Sequence, residues 1–167
     1  MIFNKFFPDM YVKSIYEIPF NELKRKGIKL LVFDIDNTLI PFDIPKADEK
    51  LIKFFKYLKK QGFKLSILSN NNKQRIELFN KDLGTLAVYK ANKPGIKKIN
   101  LVMKKFGVNS YETAMIGDQI FTDIFCGNRV GAFSILTIPV SDRDQFITKI
   151  KRGIEKYILN IYLKTRL

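Results

Sequence analysis

Two acids one residue apart close the most apolar run of the chain: Asp34 and Asp36 follow Leu30, Leu31, Val32 and Phe33. A carboxylate held at a strand end beside a divalent cation is ionised and can act as a nucleophile. Extended backbone alternates its side chains, so Asp34 and Asp36 point the same way, with Ile35 opposite. The first carboxylate can then attack phosphorus while the second protonates the leaving oxygen. Ser69 and Asn70 can hydrogen-bond phosphoryl oxygens, and Lys93 can neutralise charge as the phosphoryl group moves. Asp118 offers a second carboxylate to a metal. The chain has no histidine, which excludes an imidazole base and any His-ligated metal. An all-oxygen ligand set points to Mg²⁺ rather than Zn²⁺. The single cysteine, Cys126, excludes an internal disulfide and fits a reducing compartment; within a short helix it reads as packing.

These groups recur at strand ends. The pattern predicts strands at 29–35, 63–69, 85–90, 113–118 and 132–138. Between them it predicts helices at 47–62, 71–84 and 93–107, the last with Pro94 in its first turn, then a short helix from Ile120 and a long C-terminal helix from Asp142. Alternating strands and helices imply an α/β fold, a central parallel sheet flanked by helices, in a single domain over residues 1–167. In such sheets ligands bind beyond the carboxyl ends of the strands. Asp34 and Asp36 end the first strand, Ser69 and Asn70 the second, Lys93 follows the third, and Gly117 and Asp118 end the fourth. A solvated surface would not restart its polarity at every strand end.

Four stretches in order resemble the haloacid dehalogenase (HAD) superfamily: "DIDNT" (34–38), "LSILSN" (65–70), "KANKPG" (90–95) and "MIGDQIFTD" (115–123). "FPDMYVKSI", "FDIDNTL" and "LSNN" are further similar to the YqeG-type branch, which resembles phosphatidylglycerophosphate phosphatases. The resemblance implies a three-layer Rossmann-like sheet and Mg²⁺-dependent hydrolysis of a phosphomonoester through an aspartyl-phosphate. It implies Asp34 as nucleophile and Asp36 as general acid and then base, its backbone carbonyl on Mg²⁺. Thr38 orders the loop and, with Ser69 and Asn70, is assigned to the phosphate; Lys93 stabilises the phospho-intermediate. Asp34, Asp36, Asp118 and Asp123 form the metal set, with Asp123 either reaching the metal through water or bracing the loop.

Many HAD enzymes insert a cap domain after the first or second motif. Here 35 residues separate Asp34 from Ser69 and 24 separate Ser69 from Lys93, filled by the predicted elements. No cap fits, and only residues 39–46 are left as a flap. An open site suits a phosphate on a lipid headgroup, a protein or a nucleic acid end better than a small sugar phosphate. The net charge of +14 favours anionic partners without choosing among them. The C-terminal segment sets Phe146, Ile147, Ile150, Ile154, Tyr157, Ile158 and Ile161 at helical spacing among Lys149, Lys151, Arg152, Lys156, Lys164 and Arg166. Two readings are open: peripheral contact with an anionic membrane, or a helix covering the sheet with its lysines in water. The N-terminus does not read as a signal peptide and no run is long enough to span a bilayer, so the expected location is cytoplasmic. The competing function is a basic RNA- or ribonucleoprotein-binding module that keeps the fold, although no RNA-binding aromatic motif is present. A phosphate-accepting switch is the third, and Asp36 speaks against it because a positioned acid/base promotes hydrolysis.

Overall fold

Leu30–Phe33 is buried at every position, as a strand covered on both faces must be. The computed structural model describes residues 2–141 and 146–165. Its strands are β1 (Met10–Val12), β2 (Leu30–Phe33), β3 (Lys64–Leu68), β4 (Leu86–Val88), β5 (Thr113–Gly117) and β6 (Phe133–Thr137). They form a sheet of order β1-β6-β5-β2-β3-β4, with parallel pairing throughout. Its helices are α1 (Phe20–Arg25), α2 (Glu49–Lys60), α3 (Lys73–Asn80), α4 (Lys97–Phe106), α5 (Phe125–Val130) and α6 (Phe146–Lys164). The helices cover both faces, giving the three-layer Rossmann-like arrangement expected.

Alternation along β2 divides the core. Leu31 and Phe33 join Leu51, Phe55 and Phe79 on one face, while Leu30 and Val32 join Ile99, Val102 and Met103 on the other. β2 lies between β5 and β3, where the chain's progression across the sheet reverses. That switch point opens a crevice at the carboxyl ends of the strands, and the site forms there.

Several expectations are corrected. The sheet has six strands rather than five. β1 is three half-buried residues pairing with β6 at the edge, too short to show a period in the sequence. β2 stops at Phe33 because the amides of Thr38 and Leu39 both turn back to Ile35 O, and Asn37 takes a positive φ of 61°. Leu39 and Ile40 are buried in the core, so the flap shrinks to residues 41–46. The helix expected over 93–107 begins only at Lys97; Lys93 and Pro94 lie in a turn before it, closed by Gly95 N–H to Asn92 O at 2.7 Å.

The C-terminal helix packs on the fold through Ile158, which joins Ile120, Ile124 and Leu136, and through Tyr162, whose ring meets Phe7. Ile154 and Tyr157, assigned to the same apolar face, are instead 56% and 64% exposed. The side chains of Phe146, Ile147, Lys149, Ile150, Lys151, Arg152 and Arg166 lie outside what the structure describes. Among the described residues, no helix is long and apolar enough to cross a membrane.

Candidate active site

The ladder carries the chain one residue past β2: Asp34 N–H donates to Ile116 O on β5 at 2.9 Å, which fixes the backbone that bears the carboxylate. From the far side comes Lys93. Its Nζ donates to Asp34 Oδ1 at 2.6 Å and to Asp123 Oδ1 at 2.7 Å. Lys93 is held in turn by Asn70, whose Oδ1 accepts its N–H at 2.7 Å and whose Nδ2 donates to its carbonyl at 3.2 Å. Both ends of the Asn70 amide therefore serve the Lys93 peptide. Ser69 is buried at the end of β3, and its Oγ accepts Asn71 N–H at 3.2 Å.

Asp118 follows β5 and accepts Thr38 Oγ1–H at 3.0 Å. Thr38 is buried against this carboxylate. Asp123 sits in a π-helical turn over Ile120–Ile124, a rare geometry often found beside functional sites. Its Oδ2 accepts Gln119 N–H at 3.1 Å. Gly117 makes room for it: a Cβ there would lie 2.3 Å from the Asp123 side chain. The turn is braced from α6 by Glu155, buried, whose Oε1 accepts Phe121 N–H at 3.0 Å.

Asp34, Asp118 and Asp123 are all buried, and each offers an oxygen within 4.8 Å of the others. Three carboxylates against the single ammonium of Lys93 leave excess negative charge, and every candidate donor is oxygen. That set fits a hard divalent cation. Burial pushes the Asp34 carboxyl well above the usual carboxylate range; Lys93 opposes the shift, while Asp123 and Asp118 add to it. Burial alone would lower the Lys93 ammonium, but Asp123 and Asp34 hold it above the usual lysine range. Burial pushes the Cys126 thiol up to about 11, so it stays protonated and packs in the core.

Asp36 has a different environment. Its Oδ1 accepts Arg75 Nη2–H at 3.0 Å and its Oδ2 accepts Asn71 Nδ2–H at 3.1 Å. Sequence reasoning missed Arg75, Asn71 and Glu155 as participants. For Arg75 a signal existed: a cation in the first turn of α3, where the helix dipole disfavours it.

The mitochondrial PGP phosphatase family matches the chain over residues 3–141. Over 155 residues the chain is 41% identical to the probable phosphatase YqeG of Bacillus subtilis, covering 93% of this chain and 90% of that protein. It is 30% identical to phosphatidylglycerophosphate phosphatase 1, chloroplastic/mitochondrial, of Arabidopsis thaliana, covering 94% of this chain and 48% of that protein. A solved structure of similar fold is the 3-deoxy-D-manno-octulosonate 8-phosphate phosphatase of Moraxella catarrhalis, in complex with magnesium, phosphate and the sugar acid. Its TM-score is 0.52 at 18% identity, over 88% of this chain and 99% of that one.

Proposed function

Because the chain belongs to the mitochondrial PGP phosphatase family, we propose that it hydrolyses a phosphomonoester with Asp34 as nucleophile and Asp36 as acid and base. The observation that carries this reading is the buried chain of contacts from Asp34 through Lys93 to Asp123, with Asp118 alongside, at the ends of neighbouring strands.

An Asp34 oxygen attacks phosphorus as the bond to the leaving oxygen breaks, and Asp36 gives that oxygen its proton. Lys93 already touches the nucleophile, so its ammonium lies against the phosphoryl oxygens as they arrive on Asp34. Asp36, now a carboxylate, takes a proton from water. The water oxygen bonds to phosphorus, the bond from Asp34 to phosphorus breaks, and inorganic phosphate leaves. Asp34, Asp118 and the Asp36 carbonyl are the ligands proposed for Mg²⁺, with Asp123 held beside them by Lys93 and the Gln119 amide. A divalent cation bound there supplies positive charge that offsets the phosphate and favours ionised Asp34.

The substrate proposed is a phosphate on a large or lipid headgroup such as phosphatidylglycerophosphate. The connection from Asp34 to α2 contains a tight turn and an isolated bridge from Asp36 to Ile40, with exposed residues beyond it, and nothing in it encloses a small molecule. A relative named for that lipid phosphate supports the same reading. The test compares wild type with Asp34→Asn on an aryl phosphate with Mg²⁺, then on phosphatidylglycerophosphate in mixed micelles against hexose phosphates. The reading expects activity lost in the variant and preference for the lipid. Activity retained by Asp34→Asn overturns the nucleophile; strong turnover of hexose phosphates with the lipid rejected overturns the substrate class.

A further inference from the structure

The Asp36 carboxylate is not held by its own loop. Both of its oxygens are bound by groups 35 and 39 residues away, Asn71 before α3 and Arg75 within it. The two partners are themselves fixed. Arg75 N–H is capped by Asn72 Oδ1 at 2.9 Å, its guanidinium lies 5.8 Å over the Phe79 ring, and Asn71 N–H bonds Ser69 Oγ. The same Nη2 reaches Phe42 O at 3.4 Å, on the flap.

Arg75 is poorly suited to its place on structural grounds alone. The first turn of α3 contains no acid and takes Arg75 as a cation at the positive end of the helix dipole. Its Nε and Nη1 are buried without a hydrogen-bond partner. A helix-surface arginine would leave those donors in water. Here two donor nitrogens are left unpartnered while one nitrogen is brought onto Asp36.

We infer that Arg75 is the positioning residue for the acid/base: with Asn71 it fixes the Asp36 carboxylate against the leaving-group oxygen and ties the flap to that position. Each carboxylate oxygen keeps a further lone pair for the proton it gives and later takes. Arg75 does not touch the reacting phosphoryl group and exchanges no proton. The inference rests on the phosphatase reading of Asp36.

A role through Asp36 has a signature that a role in stability or substrate binding lacks. Nitrophenolate leaves without a proton, whereas an alkoxide does not. We compare kcat/KM on 4-nitrophenyl phosphate and on an n-alkyl phosphate, since this ratio reports the step in which the ester bond breaks. Arg75→Met, which keeps the stem against Phe79, should lose about 100-fold on the alkyl ester and less than about threefold on the nitrophenyl ester. Asp36→Asn should show the same selectivity, and the double variant no more than Asp36→Asn alone. Arg75→Lys, which retains charge and stem, should recover part of the alkyl activity and reads the same ratio should Arg75→Met fail to fold. Equal losses on both esters, a rise in KM alone, or added selectivity in the double variant overturns the role of Arg75. Wild type inactive on both esters overturns the phosphatase reading with it; active wild type with an unchanged ratio in the Arg75 variants overturns only this inference.

Discussion

Replacing Asp34 by Asn should abolish turnover and yet stabilise the metal-free protein. The charges nearly cancel. Lys93 Nζ lies 2.6 Å from Asp34, worth about 6 kcal/mol of attraction at an effective dielectric near 20. Asp118 and Asp123 offer oxygens within 4.8 Å of it, each costing at least about 3.5 kcal/mol at that dielectric. The burial penalty on the carboxylate is left uncompensated, which is why its carboxyl is pushed up. Asparagine keeps an acceptor for Lys93 without the charge, and the expected gain is about 1–3 kcal/mol. For a domain of this size that raises Tm by about 3–10 °C. The sign fixes the pH window. Well below the ordinary carboxyl value of 3.8 both states hold the proton and Asp34 costs nothing. As pH rises from there the unfolded chain releases the proton first, so wild-type stability falls and the advantage of the variant grows. The assay is thermal unfolding in EDTA from about pH 4 to 8. Adding Mg²⁺ should restore wild type, by about 2.7 kcal/mol at a hundred times its Kd, and the variant less. A variant less stable than wild type in EDTA at neutral pH, or an advantage equal at every pH, refutes the reasoning.

Three other substitutions test the frame around the acids. Gly117→Ala puts a Cβ 2.3 Å from the Asp123 side chain; displacing that carboxylate should lower kcat about 100-fold, with Mg²⁺-dependent hydrolysis as the readout. Thr38→Val removes the donor to Asp118 and should weaken Mg²⁺ about 10–100-fold, measured as the Mg²⁺ concentration for half-maximal activity. Glu155→Ala leaves the part-buried Phe121 N–H without this acceptor and should cost about 1–3 kcal/mol in urea unfolding, with Glu155→Gln recovering most of it.

What could be read from the sequence is what short-range pattern encodes. Apolar runs and helical periods located β2 to β6 within two residues at each end, and the acids at their ends followed from connectivity. Asp34, Asp118 and Lys93 needed only a parallel sheet to converge. The rest depends on pairings with no period. Nothing local to Lys93 says that Asn70 holds its backbone N–H and carbonyl, or that α4 starts only at Lys97. Nothing local to Asp36 names Arg75, 39 residues on, although a cation at a helix start is an anomaly that invites a partner. β1 escaped because a three-residue edge strand has no alternation to detect. On α6 the periodicity was genuine but the buried stripe was rotated: Glu155, Ile158 and Tyr162 turn inward and leave Ile154 and Tyr157 in water. A buried glutamate on that stripe makes sense only once the π-helical turn and its amide at Phe121 are known.

The same pairings bear on how a strongly basic chain treats an anionic substrate. Among the described residues of this strongly basic chain, the lysine and arginine that ion-pair with the proposed catalytic acids are already engaged: Lys93 with Asp34 and Asp123, Arg75 with Asp36. Neither is a free cation waiting for phosphate. The net charge therefore acts from the exposed surface, where it raises encounter with anionic partners and weakens with salt. At the strand ends the balance is reversed, with three buried carboxylates around one ammonium. A phosphate group entering such a place gains nothing from the protein's net charge unless a cation enters with it or before it. Attraction to the molecule and acceptance by the site are thus separate physical events. The first is diffuse and tolerant of what carries the phosphate. The second depends on a few atoms whose positions are fixed by Asn70, Thr38, Gln119 and Arg75, none of which lies next in sequence to the acid or lysine it holds.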